Sequence, residues 1–218
     1  PEAIHKRRVF AYIFEGYWED VGTIRSFYEA NLALCSTRPS FNFFDRRAPV
    51  YTHARFLPAS KILDSTIRNT LVAEGCVISR SLIEHSVIGV RSYVSNDCEI
   101  RNTIIMGCDF YQSRQEVSEA EAMDIPHMSI GAGCRIDRAI IDKNAHIGAN
   151  VVITDKSGVP DFDGPNYYIR DGIVVVPKPI EEVTLQLALE KVGKENASRK
   201  AIQEVQSLRH AYPLYGVL

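Results

Sequence analysis

Residues 82–100 read Leu82-Ile83-Glu84-His85-Ser86-Val87-Ile88-Gly89-Val90-Arg91-Ser92-Tyr93-Val94-Ser95-Asn96-Asp97-Cys98-Glu99-Ile100, with aliphatic side chains at 82, 88, 94 and 100. The spacing is six. A helix repeats near 3.6 residues and a lone strand near 2, so neither produces it. The same spacing recurs to either side, in Leu71, Val77 and Ile83, in Ile130 and Ile136, and in Ile141, Ile147 and Ile153. Each row slips into the next by about one residue. Three short strand steps per coil account for the period: the chain winds around a triangular prism with the aliphatic side chains in a shared core, as in hexapeptide β-helices. Glycine follows the aliphatic residue in Ile88-Gly89, Ile130-Gly131 and Ile147-Gly148, which suits corners of unusual φ. A β-sandwich of short strands is the alternative, but its strands rarely keep one register over so many turns. The expected fold is mainly β: a left-handed parallel β-helix over residues 62–179.

Upstream, residues 7–14 alternate and are aromatic-rich, which predicts a strand. Glu15-Gly16 signals a turn, and Thr23 is placed to cap a helix over roughly Ile24 to Leu34. This strand–turn–helix unit, residues 1–36, cannot bury its own apolar face and reads as the end of an α/β domain whose body lies upstream. Residues 37–61 form an irregular linker holding Phe41, Phe43 and Phe44, aromatic enough to expect it packed. Residues 109–128 interrupt the rhythm. Within them Gln112 to Met123 is helix-compatible, so a loop thrown out from one corner is expected. An irregular piece from Asp155 to Gly164 precedes a last strand pair around Tyr167–Ile169 and Ile173–Val176. Residues 180–218 read as a helical tail, broken near Gly193 and Asn196.

The chain has 218 residues, 45% hydrophobic and 24% charged, with a net charge of −2. That profile is globular and carries no basic field directed at nucleic acid or anionic lipid. No apolar run reaches membrane-span length. The five cysteines are scattered, with no C-x-x-C pair, which argues for reduced core residues over a zinc site or disulfide framework.

Several residues carry candidate chemistry. Asp20 ends the turn beside a helix start, where a hard oxygen ligand suits Mg²⁺, although an isolated Glu-Asp pair is far more often a solvated turn. Arg55, Lys61, Lys143 and Lys178 are distant in sequence, but coils of a prism can bring such residues to one face and form a phosphate site. Scattered surface charge is the alternative. His85, His127 and His146 are candidate general bases without evident partners.

The stretch Gly16-Tyr17-Trp18-Glu19-Asp20-Val21-Gly22-Thr23 resembles the Gly-Tyr-Trp-x-Asp-(Val/Ile)-Gly-Thr signature of ADP-glucose pyrophosphorylase, also called glucose-1-phosphate adenylyltransferase. Ala48-Pro49-Val50-Tyr51-Thr52 and Arg55-Phe56-Leu57-Pro58-Ala59-Ser60-Lys61 are similar to that family's linker. Ala139-Ile140-Ile141-Asp142-Lys143-Asn144 and Tyr168-Ile169-Arg170-Asp171-Gly172-Ile173 are similar to its β-helix. The likeness covers roughly residues 9–178 and is nearest the plant, algal and cyanobacterial branch. It implies the C-terminal part of a Mg²⁺-dependent nucleotidyltransferase that converts ATP and glucose 1-phosphate into ADP-glucose and pyrophosphate for starch or glycogen synthesis. Residues 1–36 would then be the last piece of the catalytic domain, and a fragment without the nucleotide loop would be inactive alone. The resemblance further implies homologous subunits in a tetramer, two subunit types in plants, and the effectors 3-phosphoglycerate and phosphate. It implies the plastid stroma, or the cytoplasm of a cyanobacterium. By position, Asp20 matches a catalytic metal-binding aspartate and Trp18 a residue near the sugar. Arg55, Lys143 and Lys178 match the allosteric anion site, with His53 beside it.

Two other functions fit a hexapeptide prism. One is an acyltransferase using acetyl-CoA at a subunit seam, which the Gly-Tyr-Trp-x-Asp stretch and the aromatic linker disfavour. The other is a catalytically silent regulatory subunit.

Overall fold

The computed structural model describes residues 2–123 and 125–178. The helical tail expected over 180–218 lies outside the described residues. Two helices precede the β region, α1 (Glu2–Lys6) and α2 (Ile24–Ala33). The first coil holds β1 (Lys61–Leu63), β2 (Thr66–Arg68) and β3 (Leu71–Val72). The second holds β4 (Val77–Ser79), β5 (Leu82–Glu84) and β6 (Val87–Ile88). In the third, β7 (Tyr93–Val94) precedes a long β8 (Glu99–Ile105) that bends and supplies two sides. Helix α3 (Arg114–Ala122) then interrupts. The fourth coil is β9 (Ser129–Ile130) with a long, bent β10 (Arg135–Ile141). The fifth is β11 (His146–Ile147) and β12 (Val152–Ile153). An antiparallel excursion, β13 (Phe162–Asp163) and β14 (Tyr168–Arg170), leads into β15 (Ile173–Val176), which closes the third side.

The register shows how the prism is built. Ile67 faces Ile83 and Ile83 faces Ile100, steps of 16 and 17 residues. Ile100 faces Ile136, a step of 36, because the α3 excursion intervenes. All coil-to-coil pairs are parallel, and the strands form three faces. The first is β1-β4-β7-β9-β11. The second joins β2, β5, β12 and the first halves of β8 and β10. The third joins β3, β6, their second halves and β15.

Three columns of residues with positive φ mark the corners. Asp64, Arg80, Asp97, Gly133 and Asn150 form one, and Asn69, His85, Asn102 and Arg138 another. Gly75, Arg91, Gly107 and Asn144 form the third. Asparagine and aspartate tolerate this region better than other side chains do, so they account for much of each column. The glycines after the aliphatic residues serve a different purpose from the one expected. Gly89 and Gly131 do not have positive φ; a Cβ on Gly89 would lie 2.5 Å from the Met106 carbonyl carbon. They allow one coil's backbone to lie against the next.

The core refines the expected rows. Ile78, Ile83, Ile88, Val94, Ile100, Ile105, Ile130, Ile136, Ile141 and Ile147 fill the interior. Val77 and Leu82 stand only half-buried, each one residue off the interior row, because coils of 16 and 17 residues fall short of three hexads. All five cysteines are free and buried. Small polar residues line the corners and tie coil to coil. The Ser60 Oγ accepts from the Cys76 amide, the Ser81 Oγ from the Cys98 amide, both at 3.1 Å, and the Ser86 Oγ from the Thr103 amide at 3.2 Å.

Helix α2 begins as expected. Thr23 caps it: its hydroxyl oxygen accepts from the Ser26 amide, and its own amide donates in return to the Ser26 Oγ. It lies on the third face of the prism, where Tyr28, Leu32 and Cys35 bury Ile104, Ile140 and Val175. That face is covered on both sides, which explains its adjacent aliphatic pairs such as Ile104-Ile105 and Ile140-Ile141. The second face carries instead a ladder of charge, Arg68–Glu84–Arg101–Glu99–Arg135. The strand expected over 7–14 does not form. Val9, Phe10, Tyr12, Ile13 and Phe14 are exposed, and no described strand pairs with them; a single extended segment cannot satisfy its own amides. In the linker Phe41 packs on Phe43, with centroids 5.0 Å apart, while Phe44 and Tyr51 are exposed. Helix α3, capped by Ser113 and Glu116, lies within the excursion expected over 109–128.

Replacing Ile83 or Ile100 by alanine should cost about 2–5 kcal/mol in urea unfolding, since both are fully buried. Val152→Ala, at a 62% exposed site, should stay within about 0.5 kcal/mol. Ile88→Asp should leave no cooperative β transition by circular dichroism, because its carboxylate would be buried without a partner. Equal losses at Ile83 and Val152 would refute the assignment of inward and outward rows.

Candidate functional site

The corner column Gly75–Arg91–Gly107–Asn144 carries a cluster of ionic side chains. Asp142 precedes the corner, and its two oxygens fix the backbones of two lysines: Oδ1 accepts from the Lys143 amide at 2.7 Å and Oδ2 from the Lys178 amide at 3.2 Å. The Asp142 amide itself donates to the Val176 carbonyl, so the end of β15 is fastened beside this turn. Both ammonium groups then reach Asp109. Lys143 Nζ donates to Oδ1 at 3.1 Å, and Lys178 Nζ lies 3.9 Å from Oδ2. Asn144 completes the frame. Its Oδ1 accepts from the Asp109 amide at 2.8 Å, and its Nδ2 donates to Asp109 Oδ2 at 3.0 Å.

Partial burial alone would raise the Asp109 carboxyl. The hydrogen bonds from Lys143 and Asn144, with the charges of Lys143 and Lys178, outweigh it and hold the group below the usual carboxylate range. With Asp142 beneath the two lysine backbones, the half-exposed corner holds two cations and two carboxylates, and both ammonium groups are directed at Asp109.

One coil away, the Arg91 guanidinium donates to the Cys108 carbonyl at 3.3 Å and sits over the Tyr111 ring, whose hydroxyl donates to the Gly75 carbonyl at 2.9 Å. Leu57, two residues after Arg55, packs against Gly75 on the same prism edge, where a Cβ would meet it at 3.5 Å. Three coil spacings separate Gly75 from Asn144, roughly 15 Å. Among the described residues no ion pair or hydrogen bond joins Arg55 or His53 to Lys143 or Lys178, and both are exposed. Lys61 stands on β1, at the first coil. The structure thus brings together Lys143 and Lys178, joins neither of them directly to Arg55 or His53 among the described residues, and adds Asp109, Asp142, Asn144 and Arg91. Asp109 lies 34 residues before Lys143, so only the coil register could have revealed it.

Trp18 and Asp20 precede α2 on an exposed segment, with Trp18 73% exposed. Asp20 Oδ1 accepts from the Gly22 amide at 3.0 Å. Among the described residues no three histidine, cysteine or acidic side chains gather around one point. A single carboxylate fits Mg²⁺ as one ligand where phosphates and water supply the rest. The histidines have partners the sequence did not reveal. His85 Nδ1 is 2.8 Å from Asn102 Oδ1, His127 Nε2 is 3.0 Å from Glu121, and His146 Nδ1 is 2.5 Å from the Pro126 carbonyl. Each partner is an amide or carboxylate, with no hydroxyl or thiol nucleophile among them.

A family model described as the GLGC left-handed parallel β-helix domain matches residues 55–182. The match spans more than half of the chain, covers every coil of the prism, and supplies the hand of its winding. It includes Asp109, Asp142, Lys143 and Lys178, and begins at residue 55, toward the end of the linker. The chain belongs to this family, the β-helix region of the ADP-glucose pyrophosphorylases.

Proposed function

We propose that the chain is the regulatory and assembly portion of a glucose-1-phosphate adenylyltransferase of the plant, algal and cyanobacterial type. The whole enzyme joins ATP and glucose 1-phosphate into ADP-glucose and pyrophosphate for starch or glycogen synthesis. Its setting on this reading is the plastid stroma, or the cytoplasm of a cyanobacterium, as a tetramer of homologous subunits. The observation that carries the reading is the convergence of Lys143 and Lys178 on one carboxylate. The effectors are 3-phosphoglycerate and inorganic phosphate. Each would replace Asp109 between the two ammonium groups, and its doubly charged phosphoryl group would satisfy both lysines at once. An exposed ion pair is worth only roughly 0–1 kcal/mol, so exchanging Asp109 for a dianion costs little. Arg55 and His53 would meet the remainder of a larger effector.

Helix α2 links this body to the Trp18–Asp20 segment. In the whole enzyme Asp20 would be one of the ligands of Mg²⁺, which supplies charge neutralisation on the ATP phosphates. Trp18 would lie beside the sugar. Anion binding at the corner would then influence turnover through the placement of α2, a coupling between two distinct sites.

Isothermal titration of this chain with inorganic phosphate should show weaker binding in Lys143→Ala and Lys178→Ala and tighter binding in Asp109→Asn. Unchanged affinity in all three would remove the corner from the effector site. In the full-length enzyme Lys143→Ala should raise the 3-phosphoglycerate concentration needed for activation while leaving the unactivated rate intact. There, Asp20→Asn should lower turnover without shifting the melting temperature; wild-type turnover would exclude Asp20 from the site.

The acid limb gives a further check. Because the folded Asp109 carboxyl lies below its ordinary value, its contribution is present above about pH 4, the unfolded value, and is lost as pH falls through the folded one. Asp109→Asn should therefore flatten the stability curve below pH 4; an unchanged limb would show that Asp109 gives no acid-dependent stability.

A further inference from the structure

One arginine of the coils stands apart from the others. Arg68, Arg80, Arg101, Arg135 and Arg138 each lie within 3.4 Å of a carboxylate oxygen. Arg91 has no carboxylate in ion-pair range among the described residues. Its Nη1 donates to the Cys108 carbonyl at 3.3 Å, and the Tyr111 ring lies under its guanidinium. The Tyr111 hydroxyl is itself fixed on the Gly75 carbonyl, so the guanidinium is held in place from two sides. Nε and Nη2 make no hydrogen bond among the described residues. Both reach solvent, since Arg138 Nε is the one side-chain nitrogen or oxygen there that is buried without a partner.

The Arg91 turn and the Lys143 turn flank one short stretch of chain, Gly107 to Asp109. The Cys108 amide donates to the Val90 carbonyl at 2.8 Å on one side, and the Asn144 amide donates to the Gly107 carbonyl at 3.1 Å on the other. Cys108 thus meets Arg91 while the next residue, Asp109, meets the two lysines. Burial pushes the Cys108 thiol up to about 11, with Asp109 adding to the rise and Arg91 opposing it, so both charges act on one residue. Adjacent coils lie roughly 5 Å apart, and the seat between Lys143 and Lys178 is about that far from the Arg91 guanidinium.

The two kinds of cation suit two kinds of anion. Ammonium groups are compact point charges, and two of them match a phosphoryl dianion from any direction. The Nε–Nη2 edge of a guanidinium is a planar fork that matches the two oxygens of a carboxylate. We propose that Arg91 binds the carboxylate of a small phosphorylated acid whose phosphoryl group sits between Lys143 and Lys178, and thereby distinguishes such an effector from inorganic phosphate. The assignment rests on the reading of the lysine corner as the effector site. A bridge of about two or three carbon atoms covers the distance between the two seats. Inorganic phosphate fills the first seat and leaves Arg91 without an anion. Arg55 and His53 would then meet the bridging atoms and not the second anionic group.

The test is isothermal titration of the 218-residue chain with inorganic phosphate, glycerol 3-phosphate and 3-phosphoglycerate, of which the last alone carries a carboxylate. 3-Phosphoglycerate should bind about tenfold more tightly than glycerol 3-phosphate, the gain expected for one charge-assisted pair. Arg91→Gln should erase that difference and leave the other two affinities as they were. Arg91→Lys keeps the charge but not the fork and should lose most of the difference as well; it carries the test if Arg91→Gln does not fold. A purely structural role for Arg91 would weaken all three ligands together, and that result overturns the assignment. So does equal affinity for 3-phosphoglycerate and glycerol 3-phosphate in a chain whose phosphate binding depends on Lys143. Phosphate binding that ignores Lys143→Ala overturns the effector corner itself, and the Arg91 assignment with it.

Discussion

Every inward residue of the prism rests on its counterpart one coil earlier. That stacking is the constraint from which the other features follow. Parallel pairing with a step of 16 or 17 residues puts Ile67 under Ile83 and Ile83 under Ile100, so the core is a set of columns. A column needs similar side chains along its length, which is why isoleucine and valine dominate the interior. The corners obey the same rule through the backbone. Positive φ recurs at one column position coil after coil, and the hydroxyls of Ser60, Ser81 and Ser86 take up amides of the following coil. Buried amides away from the strand ladders are thereby satisfied.

The three faces differ only in what their outward residues meet. The second face meets water and carries alternating arginine and glutamate. The third meets α2 and carries Leu71, Val87, Ile104, Ile140 and Val175. The helix is held along its length by apolar packing, by the Arg25–Asp171 ion pair at 3.0 Å and by the Cys35 thiol donating to the Ser86 carbonyl at 3.2 Å. Helix and β-helix therefore behave as one body. Residues just before Thr23, among them Trp18 and Asp20, are attached to the prism by a capped, packed helix.

The sequence made the prism legible because a period of six has few physical origins, and the Thr23 cap and the excursion before Ile130 followed from local signals. It misassigned what depends on register. Coils shorter than three hexads moved Val77 and Leu82 off the interior, and residues 7–14 look like a strand only while a partner is assumed. The Lys143–Lys178 corner was half legible. Lys143 and Lys178 came from a family likeness, while Asp109 and Asn144 had no local signal, because an aspartate after Gly107-Cys108 gains meaning only when the coil above it is known. His85 shows the same limit, since its partner Asn102 lies one coil away and the Asp137 that orients Asn102 lies two.

The excursions leave the prism at its corners, one carrying α3 after Cys108 and another ending in β14. Crossing the first takes 36 residues where an uninterrupted coil takes 17. Loop-closure entropy grows only logarithmically, so doubling the length adds about 0.6 kcal/mol, less than the ~0.8 kcal/mol gained by burying one methylene. A corner is thus a nearly neutral place to lengthen the chain, whereas a single residue added within a face would turn a column of isoleucines toward water. The prism can acquire new recognition surfaces by insertion at its edges while its stacked interior is unchanged.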